Sequence, residues 1–366
     1  MKNVAVFFGG ESVEHDVSVI TGVLTLNTLK SDKYNPIPIY VHTDGKWYTG
    51  QSLLDLDEYK SLDTKRLTRV VFLGGESLLY AVKKNKLKPF IQIHVAINCM
   101  HGQRGEDGSL SGLLNMCSVA NASPNILSSA VSMDKAFTKT VMRALKIKTL
   151  PYVVVSGIDE CKKVKEKLKF PVMVKPLSLG SSIGVSKAND SDQLVNAINF
   201  ALRYDQKVIV EQCLEDFIEI NCSAYTGDNG GVIISECEQP VGATKTLSFA
   251  DKYRSGKRVF PAQIDKSISD KIKDETEKVY RELGFFGVIR IDYFVSDGVV
   301  YLNEINSVPG SLAYYLFCDS TKEFFGMLDN ILTLAQQRFY KTSTVQKVFD
   351  SGLLFTCGCK GAKKKS

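Results

Sequence analysis

The chain opens with Val4-Ala5-Val6-Phe7-Phe8-Gly9-Gly10, a short apolar run that stops at two glycines. A stretch of helical apolar period follows over residues 18–30, and further short apolar runs occur at 37–41 and 94–98. Apolar runs of this length between turn residues are typical of buried strands. Strands that alternate with helices in this way predict an α/β fold, with an open, mostly parallel sheet in the first third of the chain.

Two glycine-containing turns, Gly9-Gly10 and His101-Gly102, follow predicted strands of this sheet. Ligands of open parallel sheets bind at the carboxyl ends of the strands. We therefore expect both turns to border a substrate.

The composition is that of a globular protein with two or three domains: 366 residues, of which 44% are hydrophobic and 23% charged. No apolar run reaches the roughly 18 residues that cross a bilayer, and the first run is too short for a signal peptide. Nine scattered cysteines fit a reducing compartment. These features predict a cytoplasmic protein without a membrane partner.

The net charge of +6 is concentrated at the C-terminus, where Lys360, Lys363, Lys364 and Lys365 leave only +2 for the rest of the chain. A solvated basic tail explains this distribution, so no nucleic-acid partner is expected. Cys357-Gly358-Cys359, just before the lysines, is too closely spaced for a usual zinc site.

The sequence pattern changes near Ser123-Pro124, where a helix beginning at Met133-Asp134-Lys135 precedes further predicted strands at 152–155, 172–175 and 208–211. The C-terminal third is richer in strands and ends in a helix over about 322–339. We predict an N-terminal α/β substrate domain over 1–125, a central subdomain over 126–208, a C-terminal subdomain with a metal site over 209–345 and a loosely ordered basic tail over 346–366.

A strand that ends at Lys175 is followed by Gly180-Ser181-Ser182-Ile183-Gly184. A glycine-containing loop can direct its backbone N–H groups at phosphate oxygens, and a lysine supplies a positive charge beside them. An ordinary β-hairpin turn explains the same residues equally well. Lys135 is a second candidate phosphate ligand, and its alternative is a solvated helix residue.

Two strand segments, Arg290-Ile291-Asp292 and Glu304-Ile305-Asn306, each place two polar residues at i and i+2 on one face. Two carboxylates and an amide oxygen on a shared face suit Mg²⁺. The alternative is a surface face on which Arg290 forms a salt bridge.

A shared face depends on the register of the hairpin around Ser296-Asp297-Gly298. A two-residue Asp-Gly turn without a bulge would place Glu304 opposite Ile291 and remove it from the face of Asp292. We therefore predict a three-residue turn with Gly298 in the left-handed region, which opposes Glu304 to Arg290, or a bulge with the same effect.

The ordered motifs between about residues 3 and 316 resemble those of the D-alanine–D-alanine ligases, a family of ATP-grasp enzymes. They are VAVFFGGESVEHDVS (4–18), HGQRGEDG (101–108), MDK (133–135), KP with GSSIG (175–184), KY (252–253), RID (290–292) and EINSVPG (304–310).

This resemblance implies an N-terminal open parallel-sheet domain followed by a two-part ATP-grasp fold, with ATP between the two parts. The implied ATP-binding residues are Lys135, Lys175, Gly180, Ser181, Ser182, Gly184, Glu211, Leu214, Glu219 (allowing one inserted residue) and Lys252. The implied catalytic residues are Glu14 for the first substrate's ammonium, Ser181 and Tyr253 in the closing loops, and Arg290 with Gly310 at the oxyanion. Asp292, Glu304 and Asn306 would bind two Mg²⁺ ions, with Mn²⁺ as a substitute, and His101, Ser311, Tyr315 and Leu316 would border the acceptor.

The implied reaction joins two D-alanine molecules at the expense of ATP through an acyl phosphate, and supplies peptidoglycan synthesis, cell-wall biogenesis and cell shape. The family also implies a homodimer. Three departures from the family pattern occur, around Lys252-Tyr253, at Glu215-Asp216 and at Tyr315, which stands where the family has a serine. The alternatives are a different acceptor, such as D-serine or another amine, and a nucleotide-binding protein without catalytic activity.

Overall fold

The computed structural model describes residues 1–241 and 258–352. Lys252, Tyr253 and Cys357-Gly358-Cys359 lie outside the described residues. Within the described ranges, no helix combines the length and apolar character needed to cross a membrane.

The N-terminal sheet has eight strands in the order β6-β5-β4-β3-β2-β1-β7-β8. Its strands β2, β1, β7 and β8 pair in parallel, as predicted, whereas β2 to β6 form an antiparallel extension that the sequence did not predict. The strands are β1 (Lys2–Gly9), β2 (Tyr34–Val41), β3 (Trp47–Thr49), β4 (Thr68–Phe72), β5 (Leu78–Lys83), β6 (Lys86–Gln92), β7 (Val95–Asn98) and β8 (Ala120–Asn121).

Helices connect and flank these strands: α1 (His15–Leu29), α2 (Ser109–Met116), α3 (Ile126–Met133) and α4 (Lys135–Ala144). Asp134 caps α4, because its carboxylate accepts the backbone N–H of Phe137 at 2.8 Å. This cap fixes the start of the helix, so that Lys135 lies in its first turn.

The central sheet is a four-stranded antiparallel sheet in the order β11-β10-β12-β9. Its apolar core lies against two helices and includes Val174, Leu194 and Val210. The elements are β9 (Tyr152–Val155), α5 (Cys161–Lys167), β10 (Val172–Pro176), β11 (Ser186–Ala188), α6 (Ser191–Ala201) and β12 (Val208–Gln212).

The C-terminal sheet has the order β14-β13-β17-β18 and is also antiparallel. A two-stranded pair, β15 with β16, lies beside β13. The elements are β13 (Ile218–Thr226), β14 (Val232–Ile234), β15 (Gln239–Pro240), β16 (Arg258–Val259), α7 (Lys266–Glu282), β17 (Val288–Ser296), β18 (Val299–Asn306) and α8 (Thr321–Ser343).

The last helix, α8, returns to the N-terminal sheet. Its Phe324 and Leu328 share one apolar core with Leu26 of α1, and Tyr34 donates a 2.6 Å hydrogen bond to Asp329. Helix α8 is therefore anchored to the N-terminal domain. The segment over 310–316, between β18 and α8, lies against α1. The domain boundaries at 125, 208 and 345 remain predictions.

The hairpin of β17 and β18 corrects the predicted three-residue turn. Ser296 pairs with Val299 across a two-residue Asp297-Gly298 turn, and both turn residues have positive φ, 49° and 72°. Asp-Gly favours this turn because both residues tolerate the left-handed region. The predicted turn length, and the opposition of Glu304 to Arg290, are wrong.

A bulge, which was the alternative prediction, is present in the hairpin between Asp292 and Tyr293 of β17 and their partners on β18. Leu302 pairs with Tyr293 and Glu304 with Asp292, so Asn303 is the extra residue. Asp292 and Glu304 therefore share a face, as the metal-site hypothesis requires.

Candidate functional site

A cavity of about 420 Å³ lies between the central and C-terminal sheets. Strands β10 and β12 form one wall, and β17 and β18 contribute Phe294, Asn303 and Glu304 to the other. The predicted residues that line it are Lys135, Lys175, Gly180, Ser182, Glu211, Leu214, Glu219 and Glu304.

Two lysines enclose the carboxylate of Glu211, whose side chain is 1% exposed. Lys175 Nζ lies 2.6 Å from one oxygen of Glu211, and Lys139 Nζ lies 2.7 Å from the other. Burial alone would raise the pKa of Glu211, but the two ammonium groups lower it to about 2. Glu211 is therefore ionised, with two lysine side chains beside its one carboxylate.

Lys139 was not predicted. It lies at i+4 from Lys135 on α4, so both lysines occupy the inward face of this helix. That spacing was visible in the sequence, but a lysine on an inward face is recognisable only once its carboxylate partner is known.

Lys135 lies between the cavity and the sheet face that carries the predicted metal ligands Asp292, Glu304 and Asn306. Its Nζ donates a 2.5 Å hydrogen bond to the carbonyl of Leu179 and lies 3.8 Å from Glu304 Oε2. Lys175 Nζ also lies 3.2 Å from Oδ1 of Asn303, the bulge residue. The positive groups thus extend from Glu211 to the predicted metal ligands.

The glycine-containing loop connects β10 to β11, which are antiparallel neighbours, so the hairpin interpretation of its topology is correct. The connection is longer than a tight turn, and Ser181 and Ser182 both have left-handed φ values, 56° and 58°. Non-glycine residues in this region cost about 1–2 kcal/mol each. Such strain requires support from the surrounding structure, and strained residues are common at binding sites.

That support comes from Glu14, at the start of α1 and 6% exposed. The Ser181 hydroxyl donates a hydrogen bond to the Glu14 carboxylate. A Cβ atom at Gly180 would lie 3.3 Å from the same carboxylate, and one at Gly102 would lie 3.0 Å from it. The carboxylate of Glu14 is therefore surrounded by segments that the sequence places far apart.

Glu106, which belongs to the 101–108 motif but received no predicted role, lies beside Glu14. Its carboxylate accepts backbone N–H groups from Gly102 at 2.9 Å and Val308 at 3.0 Å. Burial, and then the negative charge of Glu14, raise the pKa of Glu106 to about 8. Glu106 ties the 101–108 loop to the segment after β18.

His101 acts through a hydrogen-bond chain. Its Nε2 lies 2.9 Å from the Thr21 hydroxyl oxygen, which also accepts the backbone N–H of Ser311 at 2.9 Å. Burial lowers the pKa of His101 to about 4, so the imidazole is neutral at pH 7. His101 thus orients the Ser311 segment through Thr21.

The segment that begins at Gly310 is strained. Ser311, Leu312 and Ala313 all have left-handed φ values, 52°, 51° and 46°. The Leu316 side chain packs in the core formed with α1 and α8, so only its backbone could serve an acceptor. Strained backbone therefore occurs both in the loop of Ser181 and Ser182 and in the segment after Gly310.

The predicted metal face is present, and Arg290 occupies part of it. Arg290 contacts both oxygens of the fully buried Asp292, at 2.7 Å and 3.0 Å, while Asn306 donates to the Arg290 carbonyl at 3.4 Å. The predicted alternative was a surface salt bridge; the bridge exists but is buried. A carboxylate has about four acceptor positions, so Asp292 can hold Arg290 and a cation together.

The hard oxygen ligands Asp292, Glu304 and Asn306 therefore fit Mg²⁺. Among the described residues, no group of three or more His, Cys, Asp and Glu side chains is arranged to hold a metal ion. The set predicted to bind Mg²⁺ therefore combines two carboxylates with the amide oxygen of Asn306.

Tyr315 lies against this face and forms a hydrogen bond with Arg290. Burial opposes the charge of Arg290, but Asp292 and Tyr315 raise the pKa of the guanidinium, which stays charged. Burial also raises the pKa of Tyr315, so its phenol is protonated at neutral pH.

Comparison with known proteins identifies two family models that together match most of the chain. The model described as "D-ala D-ala ligase N-terminus" matches residues 3–123, and "D-ala D-ala ligase C-terminus" matches residues 141–330. The D-alanine–D-alanine ligase of Thermosipho africanus is 36% identical, covering 93% of this chain and 94% of the relative. That of Thermosipho melanesiensis is 34% identical, covering 93% and 95%.

Solved structures agree with these relatives. The D-alanine–D-alanine ligase of Helicobacter pylori is 29% identical with a TM-score of 0.76, over 91% of this chain and 98% of that chain. The VanG D-Ala:D-Ser ligase of Enterococcus faecalis is 27% identical with a TM-score of 0.78, over 91% and 99%. The order of motifs, the cavity and these similarities lead to one conclusion: the chain belongs to the D-alanine–D-alanine ligase family, whose members are ATP-dependent ligases with the ATP-grasp fold.

Proposed function

We propose that this chain joins two D-alanine molecules to D-alanyl-D-alanine through an acyl-phosphate intermediate. The observation that supports this proposal best is the position of the Glu14 carboxylate, in contact with Ser181 of the loop that borders the cavity of Lys135 and Lys175. An anion for a substrate ammonium thus lies next to cations for a polyphosphate.

In the first step the cavity binds ATP. Lys135, Lys175 and the backbone of the loop with Gly180, Ser182 and Gly184 hold the phosphates, because they concentrate positive charge and N–H donors. Leu214 and Glu211 meet the adenine, and Glu219 meets the ribose. When Lys175 binds the phosphates instead of Glu211, Lys139 still forms an ion pair with the Glu211 carboxylate.

Glu14 binds the ammonium of the first D-alanine and directs its carboxylate at the γ-phosphate. Attack there forms the acyl phosphate and releases ADP. Asp292, Glu304 and Asn306 hold two Mg²⁺ ions, or Mn²⁺ in their place, which supply charge neutralisation at the transferring phosphoryl group.

In the second step the amine of the second D-alanine attacks the acyl carbonyl, and phosphate leaves from the tetrahedral intermediate. Arg290 and the backbone N–H of Gly310 stabilise the oxyanion. Ser181, together with Lys252 and Tyr253, belongs to loops that exclude water, because an exposed acyl phosphate would hydrolyse. The segment with His101 and Ser311, and the side chain of Tyr315, border the acceptor.

A second candidate is ligation of D-alanine to a different acceptor, such as D-serine or another amine. Tyr315 favours this possibility, because its ring is larger than the serine that the family usually has there. A D-Ala:D-Ser ligase among the structural relatives supports the same possibility. A nucleotide-binding protein without catalysis is disfavoured, because Arg290, Asp292, Glu304 and Asn306 are all present on one face.

The test is ADP release with ATP, Mg²⁺ and a panel of D- and L-amino acids, with products identified by mass spectrometry. D-alanyl-D-alanine with D-alanine alone supports the main proposal. ADP formation with D-alanine but dipeptide only with another amine supports the second candidate, and absence of ADP release contradicts both.

Family membership also supports three broader proposals: a cytoplasmic location, a homodimer, and a role in supplying peptidoglycan precursors for cell-wall biogenesis and cell shape. Depletion of the protein should cause loss of cell shape and accumulation of D-alanine. A mass measurement in solution should give twice the chain mass of 40.5 kDa.

A further inference from the structure

An arginine outside the family motifs lies beside Tyr315. The Arg258 guanidinium carbon lies 4.7 Å from the ring centroid of Tyr315 and 5.3 Å from that of Phe260. Its Nη1 and Nη2 also lie 3.3 Å and 3.4 Å from the carbonyl oxygen of Tyr315. Two aromatic rings and a carbonyl thus fix the orientation of this guanidinium.

Glu238 forms an ion pair with the same guanidinium. Its carboxylate, 4% exposed as a residue, lies 3.2 Å from Arg258 Nη1 and accepts from Asn221 Nδ2 at 3.3 Å. Asn221 pairs with Asp292 across β13 and β17. Arg258 is therefore connected, through Glu238 and Asn221, to the strand that carries Arg290 and Asp292.

The two arginines differ in exposure. The Arg290 side chain is 16% exposed and directed at Asp292, whereas the Arg258 side chain is 35% exposed. Stacking engages the faces of a guanidinium, while carboxylates bind the N–H donors at its edge. Glu238 and the Tyr315 carbonyl engage donors on Nη1 and Nη2, but a guanidinium has five N–H donors, so the partly accessible Arg258 retains donors for an anion.

We infer that Arg258 binds the carboxylate of the acceptor amino acid, and so determines acceptor selectivity in this chain. The inference rests on the proposed function, in which Tyr315 borders the acceptor. Tyr315 replaces a small hydroxyl, and its phenol supplies one neutral donor at most. A guanidinium next to the ring supplies a charged, forked donor that suits a carboxylate better.

A purely structural role, in which Arg258 only holds the conformation of Tyr315, makes a different prediction. It would lower activity with every acceptor alike, whether or not the acceptor has a carboxylate. The experiment must therefore compare two acceptors that differ only in that group.

The experiment offers D-alanine and D-alaninamide together, at equal concentrations, to the full-length enzyme with ATP and Mg²⁺. D-alaninamide has no carboxylate and can react only as the acceptor. The ratio of D-alanyl-D-alanine to D-alanyl-D-alaninamide, measured by mass spectrometry, reports acceptor selectivity. Because both products come from the same active molecules, the ratio is insensitive to any misfolded fraction.

We expect the wild type to favour D-alanine and Arg258→Ala to reduce this preference roughly 10- to 100-fold, as for the loss of a charge-assisted hydrogen bond. Arg258→Lys, which keeps the charge without the fork, should give an intermediate ratio. Arg281→Ala is the matched control, because Arg281 is 54% exposed and pairs with Glu277 on α7.

An Arg258→Ala ratio equal to that of the wild type would overturn the inference while leaving the proposed function intact. So would a fall in the rate of both products without a change in their ratio. If the wild type forms neither product, the proposed function itself fails.

Discussion

Two enclosed carboxylates show how differently the two sides of this site are charged. Glu211 has its pKa lowered to about 2, and Glu106 has its pKa raised to about 8. Burial acts on both in the same direction, since it disfavours the charged form. The difference comes from their neighbours: Lys139 and Lys175 surround Glu211, whereas the carboxylate of Glu14 lies near Glu106.

The comparison shows what each region is prepared to bind. At Glu211 itself, two lysines face one carboxylate, which favours the binding of phosphate groups there. The region of Glu14 and Glu106, extended by Glu304, contains an excess of carboxylates and favours cations: a substrate ammonium and divalent metal ions. The protein without substrate thus already has one region suited to anionic groups and another suited to cationic groups.

The strongest test of the carboxylate-rich region is Glu304→Gln. An amide is neutral and cannot replace a carboxylate as a ligand of Mg²⁺, so ADP formation should fall by roughly 10³-fold or more. Coupled ADP-release kinetics measure the loss, and an unchanged circular dichroism spectrum confirms folding. Glu277→Gln on the surface of α7 is the control. Near-normal turnover would remove Glu304 from the metal site.

The matching test of the cation-rich region is Lys175→Ala. Loss of a charged phosphate ligand should raise the KM for ATP and slow phosphoryl transfer, each roughly 10- to 100-fold. The KM values for D-alanine should change little. Lys162→Ala, whose side chain is 86% exposed on α5, controls for general loss of charge. Weakened amino-acid binding with unchanged ATP kinetics would place Lys175 in another site.

The comparison of pKa values predicts opposite effects of pH on stability. Glu106 is protonated more readily in the folded state, since its pKa rises from 4.5 to about 8. Its contribution is therefore fully present below about pH 4.5 and is lost as pH rises through 8. Glu211 behaves oppositely, because its contribution is lost as pH falls from 4.5 toward 2.

Urea unfolding of the ligand-free protein between about pH 5 and 8 should measure this effect. Glu106 adds a slope of at most about 1.4 kcal/mol per pH unit, with stability decreasing as pH rises. Glu106→Gln removes the titrating group and should flatten the curve in that interval. An equal slope in wild type and variant would mean that Glu106 is ionised throughout, as Glu211 is.

The smallest expected effect concerns the acceptor. Arg290 bonds to the Tyr315 phenol, whose proton remains able to donate to an acceptor carboxylate. Tyr315→Phe should raise the acceptor KM about fivefold, the equivalent of one neutral hydrogen bond of about 1 kcal/mol, without affecting ADP formation from the donor. Tyr314→Phe is the control, because that ring stacks on Phe324 at 4.7 Å. Equal values for both variants would exclude the phenol from the acceptor site.

Several elements of the fold followed directly from local sequence. The strand at 152–155 was predicted with its observed bounds, and the strands at 4–8 and 208–211 extend by only one or two residues at an end. Apolar periodicity is sufficient here because the first and third of these strands, at 4–8 and 208–211, are buried along most of their length and the strand at 152–155 alternates in burial. In the antiparallel extension, β3, β4 and β6 were missed because β3 has only three residues and β4 and β6 alternate only weakly in burial.

The residues of the site also fall into two groups, those that the sequence predicted and those that it missed. Lys135, Lys175 and Glu304 were named from motifs and Glu211 and Glu219 from the family resemblance, and the structure brings all five to one cavity. Lys139, Glu106 and Arg258 were not assigned roles, because each is defined by a partner that is distant in sequence, 202 residues away for Glu106, or by a ring stacked on its face.

The sequence alone determined the chemistry of this protein: which residue types occur in which order, and therefore the family and its ATP-dependent ligation. Only the tertiary structure decided the register of β17 and β18, where a bulge at Asn303 brings Glu304 opposite Asp292. It also decided the charge states of Glu106 and Glu211. The physical reason is that a motif records the local chain, whereas a pKa or a shared sheet face depends on distances between segments that only folding brings together.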